Sequence, residues 1–378
     1  MIGRVAFLLL AILLPARAKV ETFYLGTYTN GTSSQGIYSG TIDSKTGKLG
    51  PIHLATAIAP DPTVLALSPD HRFLFAALGD AVASFAIGPD NSLRAINRQP
   101  CCGPNTCFVS LDKTGRELFA VSYDAGKIAA FPVDADGRIG PATAVVSVTG
   151  SGPNKGRQER AHPHSAYVDP ENKHLYVPDL GADRIWIFRL GEHGTLVAAD
   201  PPAVIAAPGS GPRHLAFSPN GSQVYVVNEL GVSTCVYSRD HASGDLTLIH
   251  TYPNIPPGWP PGTGSAEACV SPSGQWLYVS TRLQDFITVF RINSAPIPPA
   301  GDSVSRGVGP MILYQTVPSP VKFPRSFAID PSGRWIVVAG ETDNRIGVMK
   351  IDPAIERVTP SSETQPIDRP VCVLFAPY

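Results

Sequence analysis

Three basic side chains stand at one offset from a repeated turn. His164, Arg213 and Arg325 each lie six residues before a turn proline, at Pro170, Pro219 and Pro331. Ten residues after such a proline come Glu229, Arg282 and Glu341, with Asp179 one residue earlier in its own unit. His162 lies two residues before His164, which on a regular pleat puts it on the same side. Glu267 falls at the start of the corresponding strand of another unit. His and Glu can move protons, while arginine forks hold carboxylate or phosphate at two points and stabilise a developing oxyanion. A lone Arg or Glu at a strand end is ordinarily a solvated or paired rim residue, and a pair such as Arg213 with Glu229 could serve only to tie two units together. So many of them at shared offsets point instead to one concave end that gathers basic groups, carboxylates and a histidine pair.

The offset has meaning because one unit recurs. An apolar strand, a Pro or Asp-Gly turn, a second apolar strand, a polar turn and a third strand follow one another. The pattern is plain in Leu215-AFSPNGSQVYVVNELG and in Val270-SPSGQWLYVSTR. Turn positions at Pro69, Lys113, Pro170, Pro219, Pro272 and Pro331 give six units of propeller-blade size. Apolar period two with many β-branched and aromatic residues excludes a helical solenoid. The chain ends Val371-CVLFAPY, where Ala376-Pro377 again fills the turn position, and begins with the second and third strands of an incomplete unit, Phe23-YLGTYT and Gly36-IYSGTI. An all-β, seven-bladed β-propeller is therefore predicted, its ring closed by pairing of the C-terminal strand into the N-terminal blade. Gly150 to Arg160 and Ser294 to Pro310 read as long loops.

Composition agrees. Among 378 residues there are 38 prolines and 35 glycines, yet 43% are hydrophobic, as many short strands with tight turns require. The net charge of −1 implies no basic face, so nucleic acid is not expected as a partner. Arg4, the apolar run Val5 to Leu14 and Ala16-Arg17-Ala18 read as a signal peptide over residues 1–18. An exported, periplasmic or extracellular single domain over residues 19–378 is the expectation, monomeric and without a membrane span after cleavage. Export permits disulfides, and the Cys101-Cys102…Cys107 cluster is expected to close one small bridge. Cys235, Cys269 and Cys372 read as small buried hydrophobes. No CxxC, G-x-S-x-G, H-E-x-x-H or P-loop pattern occurs, so neither a metal nor a cofactor is expected.

The segments Phe23-YLGTYTNG, His162-PHSAYVDP, Gly209-SGPRHLAFSPNG, Val227-NELG and Phe323-PRSFAIDPSGRW resemble the seven-bladed lactonase family. That family includes propeller-type 6-phosphogluconolactonases and carboxy-muconate lactonizing enzymes. The resemblance spans Glu21 to Tyr378 and implies a small-molecule lactone handled at the channel mouth. It implies His164, Arg213, Glu229 and Arg282 as catalytic. Arg213 and Arg282 would hold the anionic group and the lactone carbonyl, and His164 or Glu229 would act as general base. His162, Glu267, Arg325 and Glu341 are the further candidates for substrate binding. Where the family usually carries Asn-Arg-Gly, this chain has Ser280-Thr281-Arg282-Leu283. Phosphorylated gluconolactone is cytoplasmic, so an exported chain would meet plain sugar or aromatic-derived lactones. A sugar-type lactone hydrolase leads; a lactone-forming muconate cycloisomerase and a non-catalytic binding scaffold are the alternatives.

Overall fold

The computed structural model describes residues 19–256, 258, 264–293 and 309–376. These form seven four-stranded antiparallel sheets. In each, strand A is innermost and strands B, C and D follow outwards. Strand A of each blade lies against the first or second strand of its neighbour, so the A strands ring a central channel. Blade five is representative: A is Pro212–Phe217, B is Gln223–Asn228, C is Ser233–Arg239 and D is Leu246–Pro253. Its B strand, Gln-Val-Tyr-Val-Val-Asn, is buried almost throughout, because both of its faces pack against neighbouring blades. Its D strand is exposed or half-buried beyond Leu246, as an outer edge strand is. Aliphatic and aromatic clusters fill the spaces between successive blades.

The A–B turns explain the recurring Ser-Pro or Asp-Pro followed by Gly. The Ser218 hydroxyl accepts from the Gln223 N–H at 2.9 Å, and the Asp330 carboxylate accepts from Arg334 and Trp335 N–H in the equivalent turn. The turn glycine does a second job. Gly274 has φ +71°, and a Cβ on it would lie 2.2 Å from Cγ of Pro219 in the preceding blade's turn. Gly115 is set the same way against Pro69, and Gly221 against Pro170.

Blade one takes strand A from Pro370–Ala376 and strand B from Val20–Thr27, with Phe23 opposite Phe375 and Gly26 opposite Cys372. First and last strands thus close the ring, as the sequence predicted. Pro377, residues 1–18, where a signal peptide is expected, and residues 294–308 lie outside the described residues. Among the described residues no helix is long and apolar enough to cross a membrane.

The bridge expected in the Cys101, Cys102 and Cys107 cluster is not formed; all six cysteines are free thiols. Cys101 and Cys102 sit side by side, Sγ to Sγ 3.6 Å. Cys107 lies instead in the channel wall, with its thiol 3.4 Å from the His164 carbonyl. The spacing of these cysteines fits a small loop, but strand A of blade three (Thr106–Leu111) begins between them and carries Cys107 inwards.

Candidate active site

The offset of six residues marks a backbone irregularity as well as a side-chain position. The A–B register shifts by one residue between Pro212 and His214 in blade five and between Pro324 and Ser326 in blade seven. It shifts between Thr106 and Phe108 in blade three and between Ser265 and Ala268 in blade six. The extra residues are Arg213, Arg325 and Cys107, and in blade six Ala266 and Glu267 stand opposite the single residue Ser280. A β-bulge re-aims the side chain it carries, and here each aims at the channel. The regular pleat assumed in the sequence reading does not hold at this point. In blade four regular strand A shrinks to Tyr167–Val168, with Pro163 bridging Asp179 outside it.

Two of the candidate arginines, Arg213 and Arg282, converge on the carboxylate of a third candidate, Glu229. Glu229, directly after strand B of blade five, donates its N–H to Gly211 O at 2.8 Å and accepts the Gly264 N–H at 2.9 Å. Its Oε2 lies 3.0 Å from Arg213 Nε and 2.8 Å from Arg282 Nη2. Its Oε1 accepts from Arg157 Nη2 at 2.8 Å. Burial alone would raise this carboxyl, but Arg282, Arg213 and Arg157 together hold it down at about 2. Glu229 is therefore a fixed negative charge that orients guanidinium groups. Arg282 is locked further by Nε donating to Gly264 O at 3.1 Å, and its guanidinium stands 5.2 Å from the Phe323 ring.

His164 lies beside this cluster, buried, its Nδ1 without a hydrogen-bond partner among the described residues. Burial, then the charges of Arg213, His214, Arg325 and Arg282, push its pKa well below 6.5, so it is a neutral imidazole at neutral pH. A cavity of about 360 Å³ opens over these groups, lined by His164, Glu229, Arg282, Arg157, Arg325 and Cys107, with Tyr28, Tyr123 and Phe323 as aromatic walls. Burial pushes the Cys107 thiol up to about 12, so it offers no thiolate at neutral pH. Beneath it a chamber of about 40 Å³ is lined by Arg213, His214 and Glu267, with His164, Arg325 and Cys107 shared between the two spaces.

The remaining candidates are placed differently. Arg325 Nη1 is 3.6 Å from Glu341 Oε2, and Arg369 binds the other oxygen of Glu341. Both guanidinium groups stand over the Tyr28 ring, at 5.7 and 5.0 Å. Glu267 pairs with His214 in the lower chamber, Oε1 to Nδ1 2.9 Å. His162 does not line the cavity. Its ring is stacked on Tyr123 at 4.3 Å, with Nδ1 2.9 Å from Tyr123 O and Nε2 3.0 Å from Glu159 Oε1. Asp179 accepts from the N–H of His162 and Ala182 and from the Trp186 indole, a purely architectural role.

A family model described as lactonase, 7-bladed beta-propeller, matches residues 22–375. The chain belongs to this lactonase family. It is 30% identical over 357 residues to the 6-phosphogluconolactonase of Bacillus subtilis (strain 168), covering 93% of this chain and 97% of that one. It is 31% identical over 342 residues to the 6-phosphogluconolactonase of Formosa agariphila, covering 87% and 92%. Among solved structures, the periplasmic gluconolactonase of Pseudomonas aeruginosa superposes with a TM-score of 0.85 at 28% identity, covering 94% of this chain and 99% of that one.

Sequence reasoning about this lactonase-family chain passed over Arg157, Tyr123, Tyr28 and Phe323. Tyr123 stands ten residues after Lys113, the offset of Glu229 and Arg282, so the repeat carried the signal. Arg157 comes from the Gly150 to Arg160 loop, which has no repeat to index it. Buried Gln158 anchors that loop, donating to Leu180 O at 2.9 Å and accepting from Asn154 N–H at 3.1 Å.

Proposed function

We propose that this chain hydrolyses a sugar-type lactone in the cavity over Glu229, by general acid–base catalysis with its own side chains and with no step assigned to a metal. The observation that carries this reading is one buried carboxylate held by Arg157, Arg213 and Arg282, beside a neutral imidazole, His164, that lines the same cavity. The guanidinium groups of Arg157, Arg213, Arg282, Arg325 and Arg369 outnumber the Glu229 and Glu341 carboxylates. The excess suits the carbonyl of a lactone as it becomes an oxyanion, and suits the carboxylate released. Aromatic walls at Tyr28, Tyr123 and Phe323 suit the faces of a sugar ring.

In this mechanism Arg282 and Arg157 polarise the lactone carbonyl while Glu229 keeps them in place. His164 takes a proton from the attacking water, then returns it to the ring oxygen as the ester bond opens. Glu229, with its carboxyl at about 2, is too weak a base for that task at neutral pH. The negative charge that develops at the carbonyl offsets the arginine field and raises the proton affinity of His164 as it is needed.

The leader-like residues 1–18 and the resemblance to a periplasmic gluconolactonase support an exported enzyme acting on unphosphorylated lactones. A pH-stat assay over plain and phosphorylated sugar lactones tests this. Acid release is expected from a plain aldonolactone. If no lactone of either kind is opened, the reading fails, and cyclisation of a carboxylated muconate becomes the assay to run.

A further inference from the structure

His214 is the residue after the Arg213 bulge. It is buried, and rings surround it: Phe108 at 5.4 Å, His164 at 5.3 Å and Tyr167 at 6.3 Å. Its nitrogens face two different partners. Nε2 lies 3.3 Å from Arg213 Nη1, and Nδ1 lies 2.9 Å from Glu267 Oε1. Arginine has only N–H donors. Nε2 must therefore present its lone pair to Arg213, and the proton must sit on Nδ1, donated to Glu267. The two contacts demand the same tautomer.

Both ends of this line are anchored. Glu267 Oε1 also accepts the Ala268 N–H at 3.1 Å, and the Glu267 N–H donates to Ser280 Oγ at 3.1 Å. Arg213 Nη1 also donates to Ala266 O at 2.7 Å, on the same bulge that carries Glu267. Its Nε then stands 3.0 Å from Glu229 Oε2. A line of contacts thus runs from blade six, through His214 and Arg213 of blade five, to the carboxylate under the cavity. Neither His214 nor Glu267 lines that cavity.

We propose that Glu267 and His214 form a positioning pair for Arg213, fixing the side of its guanidinium that faces away from Glu229, rather than touching substrate. This rests on the lactone-hydrolase reading for its kinetic consequences but not for its structural ones. Without the carboxylate, the Nδ1 proton loses its acceptor and the Nε2–H tautomer becomes competitive. Nε2–H would then face Arg213 Nη1 donor to donor, and Arg213 would swing off Glu229.

The test uses the full chain labelled with 15N at histidine, as wild type, Glu267→Gln and Glu267→Leu. Long-range 1H–15N spectra should show His214 as the Nδ1–H tautomer in wild type. Glu267→Gln, whose amide oxygen can still accept, should keep it, and Glu267→Leu should lose it. On whichever lactone the wild type opens, Glu267→Leu should lower kcat roughly tenfold to hundredfold, as loss of a partner that orients a buried ligand does. KM should stay within about threefold, and the cost should vanish in an Arg213→Lys background. An Nε2–H tautomer in wild type overturns the proposal, as does an equal cost in the Arg213→Lys background or a change confined to KM. If the wild type opens no lactone, the functional reading fails while the spectra still decide this one.

Discussion

Glu229 is the residue on which the site turns. Its carboxylate is buried and held by guanidinium groups from two blades and a loop, so Glu229→Gln leaves positive charges facing one another. Turnover is expected to fall by about a hundredfold or more, the loss typical when preorganised electrostatics is removed. Arg213→Ala should do the same. Far-UV circular dichroism should stay that of an all-β chain in both, and wild-type-like rates in both would remove Glu229 and Arg213 from the mechanism. His164 gives a pH dependence with a definite sign. Its folded pKa lies well below 6.5, so the native state binds fewer protons than the unfolded chain below that value. The stability it contributes is complete above pH 6.5 and is lost as the pH falls. Glu229 adds a second loss as the pH falls from 4.5 towards about 2. Thermal unfolding followed from pH 8 to pH 4 should show Tm falling from about 6.5 downwards, with that first step reduced in His164→Asn; an unchanged step assigns it elsewhere. The same residues show how far the site was legible. His164, Arg213, Glu229 and Arg282 could be placed because they recur at fixed offsets from a turn. Arg157 could not, because a single loop has no copies to align. Nor could the sequence separate His162 from His164, since their opposite fates depend on a local departure from the pleat.

That departure belongs to the scale of the element. In blade four strand A keeps only Tyr167–Val168 as regular strand, while in blades three, five, six and seven a bulge in strand A turns a side chain from the sheet towards the channel. Sequence periodicity reports where strands run and which faces are apolar; it does not report an extra residue whose neighbours remain strand-like. Blade number, by contrast, was readable from the A–B turns, because their proline and glycine are tied to packing. Gly274 has φ +71° and lies against Pro219 of the preceding blade. Gly274→Ala must meet both a left-handed backbone and a Cβ contact at 2.2 Å, and should destabilise the fold by roughly 1–3 kcal/mol in chemical denaturation. Glycines with positive φ and open surroundings, such as Gly31, should cost less. Equal costs at both positions would show that the inter-blade contact adds nothing.

At the scale of the whole molecule, the ring is held shut by blade one. Phe375 of its inner strand meets Phe23 of the next strand edge to face, ring centres 5.7 Å apart. Phe375→Ala empties a buried aromatic site shared between the two ends of the chain and should cost about 3–5 kcal/mol. Removing residues 370–378 should do more: it strips strand Val20–Thr27 of its partner and leaves an open edge that invites aggregation, visible by size-exclusion chromatography. An elution volume unchanged by that deletion would show that closure is dispensable. The closed ring also carries a consequence in time. The two strands joined in blade one are synthesised at opposite ends of the message. At ordinary translation rates the first waits on the order of tens of seconds for the second. Through that interval strand Val20–Thr27 lacks its inner neighbour, and the ring cannot shut until Pro370–Ala376 has been made.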